Sequence, residues 1–281
     1  MTKKQNRNKW RREPKDTLRT AFVNHLAETP RARHHRAMTT VLMPLPSEDF
    51  DPTEAALPWK RLCEAHIEVV FATPDGQPAS CDPITLRGVV FGQIGARAGD
   101  REVYRELEQD PAFRSPIRYA DIKASEYDAI HLCGGHAPGM KPYLESKILQ
   151  QQIVEFFVLG RTVSAVCHGP VLLARSIDAA TQKSVLHGRR ITALTKMLER
   201  TGFWMTVWTL GRHFRTYPEY VQDEVSGAIG DPSKFEKGPQ PPSYHKGFTV
   251  TDDNLITARW PGDADELGKC LVSALKINSP T

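Results

Sequence analysis

The run Ala165-Val166-Cys167-His168-Gly169-Pro170 restricts the possible folds of this chain more than any other feature. Val163–Val166 ahead of it reads as a short buried strand, and Gly169–Arg175 behind it opens a helix. A small residue two positions before the cysteine and a glycine two positions after it permit a tight strand-to-helix turn, the steric logic of a nucleophile elbow. Such a turn lifts Cys167 above a sheet and sets its sulfur at a helix N-terminus, where the helix dipole and free N–H groups favour a thiolate. Pro170 suits a first helical turn, where its missing N–H costs little. Neighbouring residues on a regular helix do not face each other. Cys167 and His168 therefore pair only if Cys167 leaves helical geometry. The competing reading is a buried structural cysteine followed by a surface histidine.

The rest of the chain supplies the sheet that an elbow needs. Strands are expected at Thr39–Pro44, Glu68–Ala72, Tyr127–Cys133 and Arg190–Leu194, with a hairpin formed by Phe248–Val250 and Leu255–Thr257 around the turn 251–254. Helices are expected at Glu54–Ala65 with Thr53 as cap, and at Asp100–Leu107, Lys147–Leu159 and Ala264–Leu275. Strands that alternate with helices and carry continuous apolar runs imply a mostly parallel sheet covered on both faces. Two stretches fall outside this alternation. Residues 77–98 read as loop or short strand. Residues 200–245, with Phe203, Trp204, Trp208, Phe214, Tyr217 and Tyr220, read as an aromatic-rich insertion or cap.

Charge is unevenly spread. Residues 1–40 hold eleven Lys or Arg against three acids, whereas the remainder has 26 basic and 30 acidic residues. The chain thus divides into a basic N-terminal arm, 1–38, and an α/β domain, 39–281. A mildly acidic domain argues against nucleic acid as a partner. No apolar run approaches bilayer length. Five scattered cysteines, an odd number, argue against a disulfide framework and for a reducing, cytoplasmic setting.

Ligands of open parallel sheets gather at the carboxyl ends of the strands. Glu54, Gly134-Gly135-His136 and Cys167-His168 all fall there. The two glycines allow backbone N–H groups to approach a bound carbonyl, so that Gly134, Gly135 and His136, with the His168 N–H, would form an oxyanion hole. The bland alternative is an ordinary turn. Glu54 is either a favourable first-turn acid or a carboxyl set against Cys167. In the second case its pKa should rise and allow it to shuttle a proton.

These motifs, together with Thr53-Glu54-Ala55-Ala56-Leu57-Pro58, Phe71-Ala72-Thr73-Pro74-Asp75-Gly76 and Asn254-Leu255-Ile256-Thr257, resemble the ThiJ/PfpI superfamily across Thr39–Leu275. The Cys-His-Gly-Pro turn with Gly-Gly-His is similar to the branch of heat-shock chaperones and glyoxalase III enzymes. The resemblance implies a flavodoxin-like three-layer sandwich related to class I glutamine amidotransferase domains. It also implies Cys167 as nucleophile, His168 as its partner, Glu54 as the carboxyl on the sulfur and Glu199 as the third acid. A cofactor-independent conversion of 2-oxoaldehydes to 2-hydroxy acids is implied as well, with deglycase or holdase activity as neighbouring possibilities and a homodimer or higher homo-oligomer as the assembly. The chain departs from the pattern in its basic arm, in Ala137-Pro138-Gly139 and in the 200–245 stretch. Pro170, where an amidotransferase would carry glutamine, argues against glutamine hydrolysis.

Three rivals remain. A hydrolase triad of Cys167, Asp223 and His245 would need a strand before His245, which Gly238-Pro239-Gln240-Pro241-Pro242 does not offer. A metal held by Cys133, His136, Cys167 and His168 has suitable ligand types, but a tight elbow directs the two pairs poorly for one tetrahedron, so no metal is expected. A holdase or redox sensor would use the aromatic stretch without turnover.

Overall fold

The computed structural model describes residues 38–89 and 95–277. The basic arm expected at 1–38 therefore lies outside the described residues except for Met38.

The sheet is built from β1 (Thr40–Pro44), β2 (Glu68–Thr73), β3 (Ile117–Arg118), β4 (Ala129–Leu132) and β5 (Thr162–Val166), with a C-terminal pair introduced below. Helix α1 (Pro52–Glu64) follows β1, α2 (Ala98–Leu107) follows β2, and α3 (Lys147–Val158) separates β4 from β5. After β5 come α4 (Gly169–Ala174), the small antiparallel pair β6 (Ile177–Asp178) and β7 (Lys183–Ser184), α5 (Lys196–Leu210) and α6 (Val221–Ile229). The hairpin β8 (Thr249–Asp252) and β9 (Leu255–Ala258) leads into α7 (Ala264–Ile277). The strand order is β3-β2-β1-β4-β5-β9-β8, and every pairing is parallel except β8 with β9.

Every residue of β1, β4, β5 and β9 is buried. Strands with no polar face need cover on both sides, which is the arrangement the apolar runs imply. α1 lies between α2 and α7, while α4 packs against α3 and α6. The fold is thus the expected α/β sandwich around a mostly parallel sheet.

Two local expectations are corrected. Residues 190–194 form no strand; Ile191 makes a single isolated bridge to Phe235. Its neighbours pair elsewhere: the Thr192 N–H donates to Thr257 Oγ1 at 3.0 Å, and the Leu194 N–H donates to the Cys167 carbonyl at 3.2 Å. Residues 191–194 are buried, but beyond that one bridge they do not join a ladder. The cap of α1 is Asp51, not Thr53. Pro52 takes the first helical position, and the Asp51 carboxylate accepts from the N–H groups of Thr53 and Glu54 at 2.8 and 3.1 Å. The stretch 200–245 comprises most of α5, all of α6 and the loop that precedes β8.

Candidate active site

Cys167 is the first of the two residues between β5 and α4, with φ +58°. A residue with a β-carbon takes this left-handed conformation only where its surroundings enforce it, and such strain collects at functional sites. The enforcing contacts are backbone ones. The Cys167 N–H donates to the Ala258 carbonyl of β9, and its carbonyl accepts from Leu194. Behind it, a β-carbon on Gly169 would lie 2.4 Å from the Leu132 carbonyl, so only glycine lets α4 start this close to β4.

The strain turns the sulfur toward its neighbour: Cys167 Sγ lies 3.4 Å from His168 Nδ1. The His168 backbone N–H also points at the sulfur. Cys167, Glu54 and His168 are all buried.

Glu54 reaches the sulfur from the first turn of α1. Its Oε2 accepts the Gly134 N–H at 2.8 Å, its carboxyl lies against the Cys167 thiol, and its Oε1 has no partner among the described residues. Three elements converge here, and Gly134 leaves them room. A β-carbon on it would stand 2.7 Å from His168 N and 2.8 Å from both Cys167 Cβ and Glu54 Oε2. The Gly134 N–H is thereby committed to Glu54 and not free for an oxyanion, which corrects its place in the hole expected from Gly134, Gly135 and His136 with the His168 N–H.

The backbone of Glu54 is held as deliberately as its side chain. Pro58, four residues on in α1, has no N–H, so the Glu54 carbonyl lacks its helical donor. His131 of β4 supplies one, with Nε2 3.0 Å from that carbonyl and Nδ1 3.0 Å from Ser164 Oγ. A carbonyl can only accept, so Nε2 carries the proton and Nδ1 accepts from the serine hydroxyl. Burial pushes the His131 pKa down to about 4, which keeps the ring neutral. Sequence reasoning missed His131; a proline four residues after a candidate catalytic carboxyl was the available signal.

Electrostatics oppose the simple thiolate picture. Burial, then the charges of Glu54 and Asp51, push the Cys167 thiol well above its usual range. α4 is only six residues long, and its terminus does not offset these effects. Burial and the nearby Asp51 raise Glu54 as well, while burial pushes Asp51 up to about 7 despite its two capping bonds. The cysteine and the carboxyls titrate as one coupled system, with protons held on it at neutral pH. His168 is held well below its usual value by burial, His136, Arg175 and Arg215. It is therefore a neutral imidazole that takes no proton from the resting thiol.

His136, partly buried, meets His168 edge to face at 5.0 Å, and Phe214 packs on its other side at 5.3 Å. The segment 211–217 is pinned over this pair. Thr216 Oγ1 donates to the His136 carbonyl at 2.7 Å, and His213 Nε2 sits 2.9 Å from Asp82 Oδ2. Beside it opens a cleft of about 500 Å³, lined by Pro138, Lys141, Arg212, His213 and Arg215 among others.

Glu199 is not brought to His168. Its Oε1 accepts from Arg215 at 2.7 Å and its Oε2 from the Val221 N–H at 3.0 Å, so both oxygens brace α5 against the following segments. The expected third acid is corrected to a structural one. Asp223 pairs with Lys196 at 2.6 Å, and His245 is exposed, which removes the rival hydrolase triad. Of the four residues weighed for a metal, ligand atoms of His136, Cys167 and His168 lie within 4.8 Å of one another, and Cys133 is outside the group.

Fold and site together define an α/β sandwich protein with a strained cysteine at a strand-to-helix elbow, flanked by a histidine and a buried carboxyl. The sequence matches the family described as ThiJ/PfpI family-like over residues 45–239, and the chain belongs to that family. It is 24% identical over 178 residues to a probable glutathione-independent glyoxalase, hsp3104, of Schizosaccharomyces pombe, covering 63% of this chain and 74% of the relative. A second glutathione-independent glyoxalase of that yeast, hsp3102, is 27% identical over 228 residues, 79% of this chain and 87% of the relative. The crystal structure of glyoxalase III from Candida albicans superposes with a TM-score of 0.64 at 22% identity, covering 84% of this chain and 97% of that one. Among the described residues, no helix is long and apolar enough to cross a membrane.

Proposed function

We propose that this protein is a glyoxalase III-like enzyme that converts a small 2-oxoaldehyde to the 2-hydroxy acid without glutathione, metal or nucleotide. The observation that carries the reading is the geometry at Cys167: a strained elbow, an imidazole nitrogen 3.4 Å from the sulfur, and a buried, proton-holding carboxyl against it. The names of the yeast relatives support the same class of reaction.

The thiol proton passes to His168 as sulfur attacks the aldehyde carbon, and the oxyanion takes a proton to give a hemithioacetal. A base, His168 or ionised Glu54, removes the C1 hydrogen. Protonation at C2 through the resulting enediol leaves a thioester. Water cleaves it, releasing the 2-hydroxy acid and restoring the thiol. The net change is addition of one water, so no oxidant or reductant is consumed. Enclosure of the sulfur favours substrates of a few heavy atoms that pass the segment 211–217.

The test is lactate formation from methylglyoxal with chelator present, with Cys167→Ser as control. Turnover in the parent and none in the control is expected. Failure to consume any 2-oxoaldehyde in a broad panel faster than the control would overturn the assignment. A second reading, a holdase, rests on α5, which exposes Trp204, Met205 and Trp208, the last at 87%. Suppression of client aggregation by Cys167→Ser, lost in Trp204→Ser/Trp208→Ser, would favour it.

A further inference from the structure

We infer that His136, Cys167 and His168 form a reversible binding site for a thiophilic divalent cation such as Zn²⁺, whose capture silences the nucleophile. The donor set is one sulfur and two imidazole nitrogens, the combination that borderline-soft cations select over Mg²⁺ or Ca²⁺. Tetrahedral Zn²⁺, with Zn–S of about 2.3 Å and Zn–N of about 2.0–2.1 Å, sets sulfur and nitrogen roughly 3.5 Å apart. Cys167 Sγ and His168 Nδ1 already stand at 3.4 Å. The other separations do not exceed 4.8 Å.

A second observation singles out His136. Its Nδ1 is shielded from solvent and has no hydrogen-bond partner among the described residues. A shielded polar nitrogen without a partner costs free energy that a ligand would recover. The ring is otherwise well held, by His168 on one side and Phe214 on the other, and its backbone carbonyl by Thr216. The fold thus fixes an imidazole beside the reactive sulfur without giving its Nδ1 a protein partner.

Binding follows a balanced exchange. The thiol releases its proton to solvent, the sulfur lone pair bonds the cation, and both imidazoles donate lone pairs. Three protein ligands leave a fourth position for water. The bound sulfur cannot attack a carbonyl and is shielded from alkylation, and a chelator reverses the state.

The experiment uses the full chain and reads binding, not turnover. Co²⁺ is titrated into reduced protein and followed by absorption; Zn²⁺ is then added in competition. One Co²⁺ per chain is expected, with a thiolate-to-cobalt charge-transfer band in the near-ultraviolet and visible bands of tetrahedral intensity, both displaced by Zn²⁺. His136→Gln should weaken binding by at least about tenfold, and Cys167→Ser should abolish the charge-transfer band. His136→Asn provides a second variant, with circular dichroism to confirm folding. A spectrum with no thiolate band, or His136 variants that bind as tightly as the parent, would overturn the inference. If methylglyoxal is not consumed under chelator but the cobalt spectrum forms, the proposed activity falls and the metal site stands.

Discussion

Glu54 is fixed through its N–H by Asp51, through its carbonyl by His131 and through Oε2 by the Gly134 N–H. Glu54→Gln keeps an oxygen for Gly134 but cannot ionise or pass a proton. Turnover should drop by roughly a hundredfold or more while the fold persists. The carboxylate also holds the Cys167 thiol up, so the same change should move the pH profile of iodoacetamide labelling of Cys167 to lower pH. A profile left in place would remove Glu54 from the coupled system. Asp51 adds a dependence of opposite sign to that of an ordinary paired aspartate. Its carboxyl titrates near 7 in the folded chain, against 3.8 in its ordinary state. Between those values the folded state holds the extra proton, so stability falls as pH rises through the window and stays reduced above it. One full proton corresponds to about 1.4 kcal/mol per pH unit. Asn is an equally good cap that does not titrate, so Asp51→Asn should flatten the decline in unfolding free energy between pH 4 and 7 by up to that slope. Parallel denaturation curves for the two proteins across this window would contradict it.

At the level of elements, the segment 211–217 behaves as a strap between α5 and the site. Its outer anchor, His213 to Asp82, is mostly shielded from solvent, with the imidazole pKa raised by the aspartate. The imidazolium form binds Asp82 best. The stabilisation is therefore complete below the ordinary histidine value and is lost as pH rises through the raised one. A pair of this kind contributes about 1 kcal/mol, or about fivefold in an opening equilibrium. His213→Gln should accelerate Cys167 alkylation about fivefold near pH 6.5 and progressively less at higher pH. A ratio that does not vary with pH would show that the strap is held by other contacts. Elements differ in how far the sequence reveals them. β1, β2, β4, β5 and α7 were legible because each carries an apolar run or stripe, broken only by His131 in β4 and Ser164 in β5. The elbow was legible because glycine and proline stand at the positions where sterics demand them. Residues 190–194 carry a similar signal but make only one isolated bridge, and no local pattern separates the two, since the partners Thr257 and Lys234 are distant in sequence. Glu199 failed for a related reason. The resemblance alone pointed to it, and the guanidinium of Arg215 that claims it comes from a separate segment that no local pattern links to it.

Across the whole molecule, the site depends on a C-terminal brace that none of the motifs contains. Arg259, at the end of β9, is 1% exposed and Asp263 is 0% exposed. The carboxylate accepts from Nε and Nη2 of the guanidinium at 2.7 and 2.9 Å and also from the Phe248 N–H, while Nη1 donates to the Pro239 carbonyl at 2.9 Å. This pair ties the end of β9, the loop before β8 and the start of α7 together. β9 in turn holds the Cys167 N–H through the Ala258 carbonyl, and α7 packs on the helix that carries Glu54. A buried pair is weak evidence of net stabilisation, because desolvation offsets most of the attraction, but removing one partner strands the other charge. Asp263→Ala should therefore cost about 3–5 kcal/mol and lower activity by displacing both arms of the site. Arg259→Met/Asp263→Leu should recover much of the stability, because it strands no charge. Urea unfolding of the three proteins distinguishes the cases. Equal losses in the single and double variants would mean that the brace acts through its carbonyl and amide contacts, and that the ion pair is not what joins the C-terminal elements to the cysteine.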